Sequence, residues 1–323
     1  MFITRRTVLA AAPVAAATLG VPTVSHAQTS NGSDTRQAPG FYRYKVGDVE
    51  VTAINDGFAR RPLEGFVRNA ELGQVQEAMQ AAFLPQDALP ITFTTLALRQ
   101  GDRLTLIDTG NGDSGAPTSG TWMANFRAAG FDPSQVNAVV ISHFHGDHIN
   151  GLRLKDGTAV FPNAEVMVPA AEWDFWMDDA RMNQAPDGMK GAFQNARRVF
   201  GPIAKDVKRY EADKEVVPAL TSIAAYGHTP GHTSYMLASG NGRMIVMSDV
   251  TNHPALFVRN PDWAAVFDMD ADRARETRRR MLDMAASERA QVAFYHAPFP
   301  STGHIARDGA GFRFVPVQWS PAL

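Results

Sequence analysis

The chain has 323 residues, of which 45% are hydrophobic and 20% are charged, and its formal net charge is −2 at pH 7. This balance is typical of one large or two small globular domains, and without a basic stripe it argues against a nucleic-acid-binding protein. The chain has no cysteine, so disulfides and thiolate metal sites are excluded, and any metal site must use histidine and carboxylate ligands.

The amino-terminal segment has the pattern of an export signal. Arg5 and Arg6 form a twin-arginine pair, an alanine-rich apolar stretch follows, and a small-residue pattern typical of a cleavage site ends at Ala27. The apolar stretch is interrupted by prolines and a glycine, so we favour a cleaved signal over the alternative of an uncleaved anchor helix. We therefore predict a twin-arginine signal peptide over residues 1–27, a polar linker over residues 28–40, and a periplasmic or secreted protein.

The remaining residues, 41–323, are predicted to form one domain of strands and helices. Short β-branched or alternating runs indicate strands, and longer periodic segments bounded by glycine or proline indicate helices. The predicted strands cover residues 41–56 (as a hairpin), 91–99, 103–107, 139–141, 164–169, 221–226, 234–237, 244–247, 292–295 and 312–317. The predicted helices cover residues 72–82, 122–129, 170–182, 183–201 and 271–287. The domain therefore divides into two strand-rich halves, each with its own helices.

The most informative stretch covers residues 139–148. Its first three residues are β-branched and apolar, which predicts a buried strand. Alternate residues of an extended chain point the same way, so the polar residues that follow this strand can converge on one point. Four side chains with metal-ligand chemistry lie within six residues here: His143, His145, Asp147 and His148. In a chain with nine histidines this density favours a metal site over surface or core histidines.

Candidate ligands recur further along the chain, in a Gly-His-Thr-Pro-Gly-His stretch at residues 227–232, at Asp249 and at His296. Together with the His-x-His-x-Asp-His run at residues 143–148, this pattern resembles the signature of the metallo-β-lactamase superfamily, over essentially the whole of residues 41–323. The resemblance implies an α/β fold, a four-layer αββα sandwich, with the site at one edge between the two sheets.

The resemblance also implies a centre of two divalent metal ions. Imidazole and carboxylate ligands suit zinc, and they also accept manganese, iron or cobalt. Two such ions can hold a hydroxide between them at neutral pH. The implied ligands are His143, His145 and His232 for the first ion, Asp147, His148 and His296 for the second, and Asp249 as a bridge between them.

Five neighbouring residues receive supporting roles. His228 is expected to support its loop, and Asp108 to orient a ligand by hydrogen bonds, with a simple turn residue as the alternative for Asp108. His304 is expected behind a ligand or at the rim of the site, because His296 follows a strand and is the better ligand. His253 is expected either to face the substrate or to be a surface turn residue. Trp176 is expected either to line an apolar pocket or to pack in the core.

Within the superfamily, the chain is similar to the methyl parathion hydrolase and acyl-homoserine lactonase branch, through residues near position 47, at 174–176 and over 299–317. That branch hydrolyses phosphotriesters or lactones. The chain departs from it in two places. The loop that follows residue 110 has no aromatic residue to pack against an aryl leaving group, and Asn252 stands where many lactonases have a tyrosine.

The resulting functional hypothesis is a metal-dependent hydrolase in which a metal-bridging hydroxide cleaves an ester, lactone or phosphoester bond. Asp147 or Asp249 is expected to pass a proton to the leaving group. The partner is a small-molecule substrate, with no nucleic acid and no membrane after signal cleavage, and a homodimer is possible. The alternatives are a β-lactamase of the cysteine-free subclass, an iron oxidoreductase on the same fold, and a non-catalytic binding protein.

Overall fold

The computed structural model describes residues 40–323, so the predicted signal peptide and the predicted linker up to residue 39 lie outside the described residues. This region forms two seven-stranded sheets, one from its first half and one from its second half. The first sheet contains β1 (Phe41–Val46), β2 (Val49–Pro62), β3 (Ala88–Gln100), β4 (Arg103–Ile107), β5 (Ala138–Val140), β6 (Glu165–Pro169) and β7 (Lys208–Tyr210). The second contains β8 (Glu215–Val217), β9 (Leu220–Ala224), β10 (Thr233–Ser239), β11 (Gly242–Ser248), β12 (Gln291–Phe294), β13 (Thr302–Asp308) and β14 (Gly311–Pro316).

Each sheet keeps its strands in sequence order, and each combines antiparallel and parallel pairs. Strands β1 to β4 pair antiparallel, whereas β4, β5, β6 and β7 pair parallel. In the second sheet only β11 and β12 pair parallel. Parallel neighbours end at the same edge of a sheet, so the residues after β4, β5, β11 and β12 can meet there.

The helices lie on the outer faces of the two sheets. They are α1 (Leu72–Ala81), α2 (Trp122–Ala128), α3 (Gly146–Ile149), α4 (Ala170–Trp176), α5 (Asp179–Gln184), α6 (Asp187–Phe200), α7 (Pro254–Phe257) and α8 (Ala271–Glu288). Buried residues of α2, α4 and α6 pack with the first sheet, and those of α8 pack with the second. A separate buried cluster joins the inner faces, with Val51 and Val140 from one sheet and Leu237 and Val246 from the other. This layering is the predicted αββα sandwich.

The structure refines several predicted boundaries. The predicted helix over 170–182 is divided into α4 and α5, because Asp178 adopts an extended backbone and its side chain caps α5 by accepting from the amide of Arg181. The predicted hairpin continues to Pro62, and the region after residue 300 forms the pair β13 and β14 rather than a loop and one strand. None of the helices in the described part of the chain is long and apolar enough to cross a membrane.

Candidate metal centre

The site starts where β4 and β5 end side by side. Asp108 directly follows β4 and has a positive φ of 61°, a conformation that turns its carboxylate toward β5. There it accepts hydrogen bonds from the amide of Ser142 at 2.8 Å and from the Ser142 hydroxyl at 2.7 Å. The turn after β5 is thereby tied down before the His-x-His-x-Asp-His run begins, and the last residues of that run form the short helix α3.

Seven side chains bring ligand atoms together in two groups at this edge. Within each group the ligand atoms lie within 4.8 Å of one another. The first group is His143, His145, His228 and Asp249, and the second is Asp147, His148 and His296. Asp249 directly follows β11, and His296 lies one residue beyond Tyr295, which follows β12. Both sheets therefore contribute to the site.

In the first group, imidazole nitrogens face one another with no hydrocarbon between them. Nδ1 of His145 lies 3.0 Å from Nε2 of His143 and 3.0 Å from Nε2 of His228. The same His228 nitrogen lies 3.3 Å from Oδ2 of Asp249. Three imidazole nitrogens and a carboxylate oxygen around one small space form a suitable cradle for a cation.

In the second group, Nε2 of His148 and Nε2 of His296 lie 3.5 Å and 3.6 Å from Oδ2 of Asp147. Asp249 reaches this group too. Its Oδ1 lies 3.4 Å from the His148 nitrogen, and its Oδ2 lies 3.1 Å from the His296 nitrogen. Because Asp249 is close to members of both groups, it stands in the position expected of a bridging carboxylate.

The buried polar atoms of this edge fit a metal ion. Nε2 of His148 and Oδ1 of Asp249 are buried and have no hydrogen-bond partner within residues 40–323. Leaving such groups unsatisfied costs about 1–3 kcal/mol each, and more for a charged group. A divalent cation would satisfy both atoms, and a set of imidazole nitrogens with carboxylate oxygens is the donor set that zinc accepts.

Outer hydrogen bonds orient the ligand rings. Asp108 Oδ2 lies 2.8 Å from Nδ1 of His148, which is the orienting contact predicted for this aspartate. Nδ1 of His296 lies 2.9 Å from the carbonyl oxygen of Thr92, and Nδ1 of His228 lies 3.0 Å from Oδ1 of Asp268. Each contact leaves the Nε2 atom directed inward, as outer partners of metal-binding histidines do.

The two histidines of the loop at residues 227–232 differ in what contacts their ring nitrogens. Nδ1 of His232 lies 2.9 Å from the carbonyl oxygen of Ala225, and its Nε2 accepts the amide hydrogen of Asp249 at 3.0 Å. Backbone groups thus meet both ring nitrogens of His232, whereas His228 is a member of the first ligand group. The prediction that His232 binds the metal and His228 supports the loop stays a prediction.

The remaining predicted supporting residues, His253, His304 and Trp176, lie outside both ligand groups. His253 is buried and its Nδ1 accepts the amide hydrogen of Ala255, so it caps α7, and it does not line the space beside the two ligand groups. His304 is exposed in β13, where it pairs with Gln291 and Val315, and it belongs to neither ligand group. This strand position arises because β13 pairs with β12 on one side and β14 on the other. Trp176 is buried in the core behind His145.

Burial and charge set the protonation of the ligands. Burial, together with the neighbouring His228, lowers the pKa of His145 to about 3, so this imidazole is neutral and able to bind a metal. Burial lowers the pKa of His148, but the carboxylates of Asp249, Asp147 and Asp108 outweigh it and raise that pKa well above its usual range. The three carboxylates around His148 therefore favour a positive charge beside them, on the imidazole or on a bound cation.

A cavity of about 370 Å³ opens above the two ligand groups. Part of its wall is apolar, through Ile91, Phe93 and Phe267, and the loop at residues 111–116 supplies small residues. Asn252 also lines the cavity, and its Oδ1 is buried without a hydrogen-bond partner among the described residues. The cavity thus combines apolar walls with one free amide group beside the candidate metal centre.

Sequence reasoning missed three buried carboxylates that organise the site. Asp56 accepts from the amides of Asn111 at 2.7 Å and Trp122 at 2.8 Å, which orders the loop on the cavity wall. Asp268 supports His228, and Glu172 contacts both ligand loops. Their partners lie between 28 and 66 positions away in the chain, so no local spacing could have identified them.

Comparisons with known proteins give the family. The model of the family described as the metallo-beta-lactamase superfamily matches residues 92–296. N-acyl homoserine lactonase AttM of Agrobacterium fabrum is 28% identical over 130 residues, which cover 38% of this chain and 43% of that relative, so the match spans less than half of the relative's length.

Two solved structures are similar over most of the described residues. AidC, a dizinc quorum-quenching lactonase in complex with a product, is 25% identical with a TM-score of 0.82, covering 87% of this chain and 98% of that one. The hydrolase AbOPH of the beta lactamase superfamily is 28% identical with a TM-score of 0.83, covering 88% of this chain and 100% of that one. From its fold, its ligand geometry and the family match, the chain belongs to the metallo-beta-lactamase superfamily.

Proposed function

We propose that the protein is a metal-dependent hydrolase that opens lactones carrying an acyl side chain. The observation that carries this proposal is the convergence of seven ligand side chains, joined by Asp249, on the floor of a cavity with apolar walls. The similarity to AidC and to AttM supports a lactone over other cyclic or linear esters.

In this proposal each group of ligands holds one divalent ion, zinc being the ion that the donors suit best. His143, His145 and His228 hold the first, Asp147, His148 and His296 hold the second, and Asp249 contributes to both. When bound, such ions act as Lewis acids toward a carbonyl oxygen and lower the pKa of water.

The chain's own residues then bind and orient the substrate. Ile91, Phe93 and Phe267 offer apolar area for an acyl chain, at about 25 cal/mol per Å² of apolar surface removed from water. The Oδ1 atom of Asn252 can accept a hydrogen bond from an amide N–H of the substrate. Asp147 lines the cavity with 23% of its side chain exposed, whereas Asp249 is nearly buried, so we assign proton transfer to the leaving oxygen to Asp147.

A second candidate substrate is an aryl ester or aryl phosphotriester. Two aromatic rings, Phe93 and Phe267, line the cavity from outside the loop at residues 111–116, and aromatic pairs contribute about 0.5–1.5 kcal/mol beyond area burial. They supply a stacking surface that the loop itself lacks. The similarity to the hydrolase AbOPH agrees with a hydrolase and does not choose between the two substrate classes.

The test is turnover of the metal-quantified protein with N-hexanoyl homoserine lactone, unsubstituted γ-butyrolactone, an aryl ester, an aryl phosphotriester and a β-lactam. We expect the acylated lactone to give the highest kcat/KM, about tenfold or more above γ-butyrolactone, because the apolar walls bind the acyl chain. Asn252→Leu should raise KM for that lactone and leave metal content unchanged. Full metal content without turnover of any lactone would disprove the proposal, and preference for an aryl substrate would favour the second candidate.

A further inference from the structure

We propose that Glu172 is a positioning residue that holds the two ligand loops of the metal centre in register with each other. One loop is the run at residues 143–148, and the other is the loop at residues 227–232. Glu172 lies in α4, its side chain is fully buried, and it does not line the cavity. The inference rests on the proposed metal centre, not on the identity of the substrate.

The two carboxylate oxygens of Glu172 serve different loops. Oε2 accepts the amide hydrogen of Phe144 at 3.0 Å, and Phe144 stands between His143 and His145. Oε1 accepts the amide hydrogen of Gly231 at 2.7 Å and the hydroxyl hydrogen of Thr229 at 2.5 Å. Thr229 directly follows the candidate ligand His228. One rigid planar group thus spans the gap between three ligands of the first group.

A carboxylate is the group that this position requires. Every protein group that contacts it is a donor, including the indole Nε1 of Trp176, which donates to Oε2 at 2.7 Å. An ionised carboxylate only accepts, and hydrogen bonds to an ionised group are roughly twice as strong as neutral ones. A glutamine of the same shape would direct its NH₂ group at one loop and leave donors there without a partner.

Close backbone packing shows that the second loop is seated on α4. A Cβ atom at Gly231 would lie 2.3 Å from the backbone nitrogen of Glu172 and 2.7 Å from the backbone carbon of Ala171. No side chain can occupy that space, so the loop approaches the helix at the distance that its hydrogen bonds to Glu172 need. The Glu172 carboxylate therefore joins α4 to a loop that already packs against it, and its hydrogen bonds fix the position of that loop.

The experiment compares Glu172→Gln with the control Trp176→Phe in the full chain. The control removes the indole N–H of Trp176, which donates to Glu172 from the same helix, and keeps the hydrogen bonds from both loops to Glu172. Zinc affinity is measured by competition with a chromogenic chelator, and the melting temperature of the metal-free protein is measured alongside. We expect E172Q to lower zinc affinity about 10- to 100-fold, the range found for outer partners of metal ligands. W176F should keep wild-type zinc affinity, even if its melting temperature falls as far as that of E172Q.

Thr229→Val provides a milder second variant should E172Q fold poorly. It removes only the hydroxyl contact to Oε1, and we expect it to lower zinc affinity about threefold in the same direction. Wild-type zinc affinity in E172Q or in T229V would overturn the inference. So would losses of zinc affinity that are proportional to the loss of melting temperature in all three variants. Wild-type protein that binds zinc but hydrolyses no lactone would disprove the proposed function alone, because the affinity comparison does not depend on turnover.

Discussion

The metal-ligand loop at residues 227–232 shows how one residue's role depends on the partners of its side chain. His228 and His232 are both buried, and they differ in what meets their ring nitrogens. His232 is held by the carbonyl of Ala225 and the amide of Asp249, whereas Nε2 of His228 contacts only side chains of the candidate site, at His145 and Asp249. Backbone hydrogen bonds at both nitrogens stabilise the fold, whereas an imidazole nitrogen among other ligand atoms is placed to bind a cation.

Alanine substitutions should separate these two roles. His228→Ala should reduce the amount of tightly bound metal per chain and leave the metal-free protein about as stable as wild type. His232→Ala should destabilise the metal-free protein by about 2 kcal/mol or more, because it leaves two buried backbone groups unpaired. Metal analysis after gel filtration and urea unfolding of the metal-free variants measure both effects. The opposite outcome, metal loss at unchanged stability in H232A, would restore the original assignment.

At the scale of elements, helix α8 anchors the long connection between the parallel strands β11 and β12. Its Arg278 is 1% exposed and donates to the carbonyl oxygens of Val250 at 2.8 Å and Pro261 at 3.2 Å. The same guanidinium lies 3.0 Å from Oδ2 of Asp268, whose other oxygen contacts His228. Through Arg278, the helix thereby contacts both the segment that follows Asp249 and Asp268, the residue that orients His228.

Breaking this anchor should be costly, and a neighbouring arginine provides the control. Arg278→Met removes one partner of a buried ion pair and leaves the Asp268 carboxylate without its cation. We expect this change to destabilise the protein by about 3–5 kcal/mol. Arg279→Met removes an exposed pair with Asp262, for which we expect no more than about 1 kcal/mol. Urea unfolding of both variants tests this. Equal losses would mean that α8 does not depend on the buried contact.

Element prediction succeeded where the determining residues are close together in the chain. The strand before residue 142 and the helix from residue 271 were predicted because their apolar spacing is local, and Asp270 caps that helix by accepting from the amide of Arg273. No strand is predicted around His304, because its own stretch has no alternating apolar pattern. Its strand is formed by pairing with β12 and β14, which no local pattern contains.

For the whole molecule, the important fact is that the ligands come from both sheets. Residues 143–148 belong to the first half of the described chain, and His228, Asp249 and His296 belong to the second. A metal ion at either group would therefore join the two halves. Tyr295 adds a direct link, since its ring lies 3.8 Å from that of His148 and its hydroxyl donates to the carbonyl of Asp147 at 2.5 Å.

Removing the metal should therefore weaken the whole fold and not one loop. A ligand that binds only the native state stabilises it by about 2.7 kcal/mol when its free concentration is 100 times Kd. We expect chelation to lower the melting temperature by several degrees, and zinc to restore it. Hydrogen exchange should increase on chelation both at residues 143–148 and after Asp249. Unchanged melting with proven loss of metal would show that the ions do not join the halves.

The sequence by itself determined the donor chemistry and brought the four candidate ligands of residues 143–148 together, because these side chains are neighbours on one turn after one strand. Local periodicities located individual strands and helices, whereas the layered fold was expected from the family resemblance. Only the tertiary structure showed the different contacts of His228 and His232, revealed Asp268 and Glu172, and placed His304 in a strand. The physical reason is that each of these assignments depends on a hydrogen bond or a strand pairing between residues distant in the chain, formed only when both sheets have packed.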